Sequence, residues 1–126
     1  METDFKKQPR EFYRIEYKDG YGLHNAVDED GCYFINELPL LRDRHNRLLP
    51  NMISDTIIAQ TYLDNSVWRF CFNSMDDLHR LVLDNEIEDL KKYGFKVYKI
   101  VADCYVISPY QAIININNII SKEEIL

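Results

Sequence analysis

The residues that most often do chemistry in proteins are scattered along this chain. Its histidines and cysteines are His24, His45, His79, Cys32, Cys71 and Cys104. Their spacing matches no zinc ligand set, and the sequence contains no HExxH, GxSxG, Gly-rich phosphate loop or EF-hand pattern. We therefore expect no metal site, no cofactor and no catalytic residue, and the sequence leans against an enzyme.

The cysteines indicate a reducing environment. Three cysteines without a CxxC pair argue against a disulfide framework, so we expect buried thiols. Cys71 lies inside a predicted strand, whereas a reactive thiolate is stabilised at a helix start. The N-terminal residues lack the apolar stretch of a signal peptide, and no apolar run approaches the roughly 18 residues of a membrane span. These observations predict a cytoplasmic protein without a membrane partner.

One basic cluster stands out in residues 42–47. Its arginines, Arg42, Arg44 and Arg47, could hold the phosphates of a nucleotide or a nucleic acid, because guanidinium groups make bidentate contacts with phosphate. The alternative is a solvated loop, and direct nucleic-acid binding is not favoured in an acidic chain. The formal net charge is −6, from 15 basic and 21 acidic residues, which disfavours unaided binding to a phosphate backbone.

The carboxylates form two clusters. One is the loop 28–30, and the other lies on predicted helices and includes Asp76, Asp77, Asp84, Glu86, Glu88 and Asp89. Charged helix faces are commonly just solvated. The sharper hypothesis is that Asp76, Asp77, Glu86, Glu88 and Asp89 imitate phosphates and bind a basic groove. The nine tyrosines suit a partner surface too, although several of them lie in predicted strands.

Hydrophobic periodicity predicts an α+β fold with a mostly antiparallel sheet and two to four short helices. Residues 1–10 read as a flexible tail, followed by a single domain over 11–126. Residues 11–17 and 67–72 alternate like strands, and so do segments within 95–102, 104–108 and 110–117. In the first strand Phe12, Arg14 and Glu16 should face one side. Residues 54–63 favour a helix over a strand. Residues 36–53 are not assigned, because 39–51 could form either a long exposed connection or one short helix. The last six residues read as a short helix or a loose end.

Two apolar stripes in residues 75–93 cannot face one groove from a straight helix. We therefore predict two helices, about 75–83 and 86–93, with a break at Asp84–Asn85. Ser74 is the expected N-cap of the first helix, and Asn85 with Glu88 reads as a second capping box. Gly94 should supply the left-handed residue that ends the second helix.

Several short motifs resemble known proteins. The Tyr-Arg-Ile strand 13–15 before a Gly turn, the Phe-Cys-Phe-Asn-Ser strand end 70–74, Gly94-Phe95 and Gln111 look like small uncharacterised phage-encoded proteins. More remotely, they are similar to the ADP-ribosyltransferase arrangement, in which Arg and Ser hold NAD. That resemblance would place Arg14, Ser74 and Gln111 in a nucleotide site, but Gln111 stands where a late catalytic Glu would be required.

The leading expectation combines size, acidity and this resemblance. It is a phage or mobile-element type protein that binds and inhibits a host protein or ribonucleoprotein. The expected host factor is a nucleic-acid-handling defence complex such as a CRISPR effector. The alternative is an ADP-ribosyltransferase-like NAD or nucleotide-binding domain that has lost catalysis.

Overall fold

The computed structural model describes residues 6–20, 22, 26–34, 38, 40–43, 67–107 and 111–125. Within these residues it contains five strands, which are β1 (Lys6–Glu16), β2 (Trp68–Cys71), β3 (Lys96–Ile107), β4 (Ala112–Asn115) and β5 (Ile119–Glu124). The helices with defined ends are α1 (Met75–Leu81) and α2 (Asp84–Tyr93). Residues 40–43 are also helical, and short 3-10 turns cover Lys18–Gly20 and Ile116–Asn118. The predicted α+β class is confirmed.

The antiparallel sheet curls until it meets itself. Its order is β1-β3-β4-β2, and β5 pairs with β3. The first part of β3 pairs with β1 and β5, while its last three residues pair with β4. The circuit closes where Tyr13 of β1 bridges Phe72, which follows β2, through backbone hydrogen bonds of 3.0 and 2.7 Å. The sheet therefore has an enclosed inner face and an outer face.

The side chains of β1 alternate between the two faces of the sheet. The inner face holds a buried cluster that we call the inner cluster, formed by Phe12, Cys71, Ile100, Ala102, Tyr105, Ala112 and Ile114. The other side of β1 packs on a second group, the helix cluster, whose members include Ile15, Leu78, Leu81, Val82, Ile87, Leu90, Phe95 and Val97. Because successive strand residues point to opposite faces, Arg14 and Glu16 share the side of Phe12, as predicted.

The two predicted helices are confirmed, but the break lies earlier than expected. Ser74 caps α1, since its Oγ accepts the Asp77 N–H at 3.1 Å. The break falls at Val82–Leu83 instead of Asp84–Asn85, and Asn85 lies exposed in the first turn of α2. Val82 and Ile87 are both buried in the helix cluster. Val82 precedes the N-cap and Ile87 is the fourth helical residue, and apolar residues at these two positions fix the direction in which the chain enters a helix. Burial therefore decided between two possible caps.

Gly94 ends α2 in the left-handed conformation predicted for it. Its φ is 104°, and the next amide, that of Phe95, donates to the Leu90 carbonyl at 3.0 Å. A side chain at this position would meet the Tyr17 ring 3.2 Å from its Cβ. The positive φ is the conformation that favours glycine, and a Cβ here would also require the Tyr17 ring to move by a few tenths of an ångström.

Three predicted boundaries were wrong. Residues 6–10, assigned to a flexible tail, belong to β1, where Arg10 pairs with Ala102 and the Tyr105 hydroxyl donates to the Gln8 carbonyl at 2.8 Å. Residues 96–107 form one continuous strand without a turn at Asp103, because β3 exchanges partners there while staying extended. Residues 121–124, which were assigned to a short helix or a loose end, belong to strand β5. The predicted helix over 54–63 and the unassigned residues 44–53 lie outside the described residues.

Candidate functional site

Arg14 is buried on the inner side of the sheet, with 9% of its surface exposed. Its Nε donates to Glu16 Oε2 at 2.9 Å, Nη1 to the Phe70 carbonyl at 2.6 Å, and Nη2 to the Gly20 carbonyl at 3.0 Å. One side chain thus joins β1 to β2 and to the turn after β1. The guanidinium has a structural role in which all three nitrogens donate to groups of the chain itself.

Glu16 connects this arginine to the last strand. Its Oε1 accepts a hydrogen bond from Lys122 Nζ, and its own surface is 8% exposed. The Lys122 ammonium also lies over the Tyr98 ring, 4.5 Å from the centroid. We call Arg14, Glu16 and Lys122 the ionic triplet. Because Glu16 accepts from both cations, its removal would leave a buried guanidinium without a charge partner.

Two exposed ion pairs hold β5 next to the triplet. Lys96 pairs with Glu124 at 3.2 Å and Lys99 with Glu123 at 3.0 Å, each across the β3–β5 ladder. The hydrogen bond that each lysine donates to its glutamate raises the pKa of the lysine above the usual value. These pairs are solvated, so each should contribute little to the stability of the fold.

The nucleotide hypothesis names three residues on neighbouring parts of the sheet. Tyr13 bridges Phe72, and Ala112 pairs with Cys71, so Arg14, Ser74 and Gln111 belong to adjacent segments. Ser74, however, is the N-cap of α1, and its Oγ also donates to Asp77 Oδ2 at 3.2 Å. Gln111 is 2% exposed at the start of β4. Nucleotide binding stays a prediction, and the observed contacts of Arg14 and Ser74 serve the fold.

Cys71 lies in the inner cluster near the ionic triplet. Burial raises the pKa of its thiol to about 12, and the nearby Arg14 charge only partly opposes this shift. A neutral thiol is a poor nucleophile, so the raised pKa lowers the reactivity expected of Cys71. Cys104 is buried as well, but Cys32 is exposed, so the expectation of three buried thiols was wrong for Cys32.

Thiol titration should therefore resolve the cysteines. We expect a disulfide reagent such as DTNB, at about pH 8, to modify Cys32 quickly in the native protein while Cys71 and Cys104 stay protected, because thiolate formation and access both control the rate. Cys32→Ser should abolish the fast phase, and denaturant should release the remaining two thiols. Fast native reaction of Cys32→Ser would contradict the placement of Cys71.

The predicted acidic face divides into structural and exposed carboxylates. The Asp77 carboxylate, in the first turn of α1, accepts a hydrogen bond from the Ser74 hydroxyl and lies 3.6 Å from the Arg80 guanidinium. Glu86 is 6% exposed, and its Oε1 accepts the Leu83 N–H at 2.8 Å, where it caps α2. Both residues hold helix ends. Asp76 and Glu88 are exposed, and Asp89, half-exposed, pairs with Lys92 at 3.8 Å.

Two residues at the junction of the helices were not predicted as site residues. The Asp84 side chain is 93% exposed, and its Oδ1 lies 3.3 Å from His79 Nδ1. Leu83, its neighbour, is 45% exposed. The sequence feature that could have revealed this junction is the apolar pair Val82 and Ile87, whose spacing fits an N-cap at Leu83. We call the exposed residues Asp76, Leu83, Asp84 and Glu88, together with the half-exposed Asp89, the elbow surface.

The basic segment is described only in part. Arg42 is half-buried and lies 3.5 Å from Asp43, so its charge has a partner in the next residue. Arg44 and Arg47 lie outside the described residues. Phosphate binding by this segment therefore stays a prediction.

The described residues form neither a metal-ligand cluster nor a membrane-spanning helix. Within the described segments, His, Cys, Asp and Glu side chains nowhere gather in a group of three or more that could hold an ion. No helix in that same part of the chain is long and apolar enough to cross a membrane.

Comparison with known proteins adds no relative. Protein-family models, curated proteins and solved structures give no match to the chain. The geometry of the sheet, the ionic triplet and the elbow surface is therefore what a functional proposal has to rest on.

Proposed function

We propose that this protein binds and inhibits a host factor by occupying a basic groove with its elbow surface. The host factor is a nucleic-acid-handling defence complex, such as a CRISPR effector, and the protein is of the phage or mobile-element type. The observation that carries the proposal is the set of exposed carboxylates Asp76, Asp84 and Glu88, with the half-exposed Asp89, on two consecutive short helices.

The division of labour among the acidic residues supports this function. Asp77 and Glu86 fix the two helix starts, so the exposed carboxylates are carried on rigid elements rather than on a free loop. A preordered surface loses less conformational entropy on binding than a flexible one. The net charge of −6 adds long-range attraction to a basic partner and repels nucleic acid, so the partner is a protein or a ribonucleoprotein with an open basic groove.

Charge reversal tests the proposal. The double variant Asp76→Lys with Glu88→Lys leaves both capping carboxylates in place, and we expect it to weaken partner binding at least about tenfold, because close opposite charges become like charges. The matched control is Glu29→Lys with Asp30→Lys, which makes the same change in net charge on an exposed loop. The partner is isolated from a bacterial lysate as a heparin-retained protein, identified by mass spectrometry, purified, and titrated by calorimetry.

Competition completes the test. A DNA duplex should displace the wild-type protein from the purified partner, because both ligands occupy the same groove. If both double variants lose the same affinity for the partner, net charge alone explains the loss, and a specific binding surface is contradicted. A ternary complex with DNA would contradict occupation of the groove.

A further inference from the structure

We propose that Leu83 is the apolar anchor of the elbow surface, and that it enters an apolar socket surrounded by lysine or arginine side chains on a protein partner. This inference rests on the proposed function and deepens it, since it names the chemistry of the partner's surface. It is carried by the backbone position, the exposure and the charged surroundings of Leu83.

Leu83 occupies a position that normally takes a polar residue. Its backbone is extended, with φ −78° and ψ 160°, and its carbonyl accepts the Ile87 N–H at 3.0 Å, which makes it the N-cap of α2. Ser, Thr, Asp and Asn are preferred at N-caps because their side chains accept a backbone N–H of the first turn. A leucine side chain has no acceptor, and the structure gives this helix no side-chain bond from its cap.

The core does not explain the leucine. The buried apolar residues on either side of Leu83 are Val82, 0% exposed, and Ile87, 5% exposed, and both belong to the helix cluster. The reciprocal half of the cap is made by Glu86, which accepts the Leu83 N–H. A leucine at an N-cap whose side chain makes no capping bond and is 45% exposed breaks a local rule, and such exceptions are expected at functional positions.

The surroundings of Leu83 select the kind of partner. The next residue, Asp84, has a side chain that is 93% exposed, and Glu88 is exposed one turn further along α2. Carboxylates repel phosphates, so a nucleic acid or an anionic membrane would be rejected. A metal ion or a polyamine would gain nothing from an isobutyl group. An apolar anchor with charged groups around it is typical of the centre and rim of a protein interface.

The substitution Leu83→Ser separates binding from folding. Serine completes an S-x-x-E capping box with Glu86, so the melting temperature should be unchanged or higher while the anchor is lost. The matched control is Leu40→Ser, which removes the same side chain from a helical position that is 75% exposed.

Two synthetic peptides of equal length and charge serve as probes. One is an amphipathic lysine–leucine helix and the other replaces its leucines with alanine. The wild-type protein and Leu40→Ser should bind the leucine peptide about tenfold more tightly or better, and Leu83→Ser should lose that preference. An unchanged preference in Leu83→Ser would overturn the anchor, and so would an equal loss in Leu40→Ser.

The charge variant distinguishes the two proposals. If Asp76→Lys with Glu88→Lys leaves binding of both peptides unchanged, the acidic surface itself fails and the proposed function with it. If that variant weakens both peptides but Leu83→Ser weakens neither, the acidic surface stands and the anchor alone is wrong. Heteronuclear NMR of wild-type protein should also shift the Leu83 methyl resonances with the leucine peptide and leave those of Leu40 in place.

Discussion

Replacing Glu16 with alanine is expected to lower the free energy of unfolding by about 3–5 kcal/mol, because this change leaves a buried charge without its partner. Arg14 is 9% exposed, and of its three hydrogen-bond acceptors only Glu16 carries a charge. The guanidinium cannot lose its proton to relieve the cost. Urea denaturation followed by the fluorescence of Trp68, the single tryptophan, measures the change.

The matched control is the other end of the ionic triplet. The Lys122 side chain is 37% exposed, so water solvates its ammonium group better than it solvates the buried Glu16 carboxylate. Lys122→Ala leaves the Arg14–Glu16 pair intact, so we expect a loss of about 1 kcal/mol or less. A loss of that same small size for Glu16→Ala would show that Arg14 reaches solvent and would reopen the inner face as a binding site.

The triplet shows how far local sequence patterns reach. Alternation along β1 correctly placed Arg14 and Glu16 on the face of Phe12, because strand side chains alternate whatever the rest of the fold does. The pattern could not reveal Lys122, which lies 106 residues away from Glu16 in a strand that the sequence presented as a helix or a loose end. The register of β5 against β3 is a tertiary property, and it places Lys122 opposite Ile100.

The helices show a different limit. The sequence offers a capping box at Asn85 and Glu88, and the two stripes of apolar residues correctly required a break. What selected the earlier break is the burial of Val82 and Ile87 in the helix cluster, a contribution larger than any single cap. The same shift changes the role of Glu86 from a partner-binding carboxylate to a helix cap.

The partner-binding acidic face stays a prediction, but the structure separates its carboxylates by exposure and hydrogen bonding. Charge counting treats Asp77, Glu86 and Glu88 alike, whereas the structure uses the first two to hold helix ends and exposes the third. Exposure depends on which side of each helix packs on the sheet. The residues available to a partner could be separated from the structural ones only after that packing was known.

The second large effect is expected at Phe12. Its side chain is 0% exposed in the inner cluster and meets the Tyr105 ring edge-on, with 5.0 Å between centroids. Phe12→Ala should lower the free energy of unfolding by about 3–5 kcal/mol, because it removes buried apolar surface and leaves a cavity enclosed by several strands. Chemical denaturation with the Trp68 signal again measures the loss.

A smaller change at the same position separates packing from closure of the sheet. Phe12→Leu retains much of the apolar volume, so we expect a smaller loss of about 1–2 kcal/mol and no change in the pairing of Tyr13 with Phe72. Hydrogen exchange of the Phe72 amide reports on that pairing. If the curled sheet opens as one unit, the Phe72 amide of the Phe12→Ala variant should exchange no faster than global unfolding allows. Faster exchange at Phe72 than at the β3 amides would instead show that β2 separates from β1 first, and that Phe12 is what keeps the circuit closed.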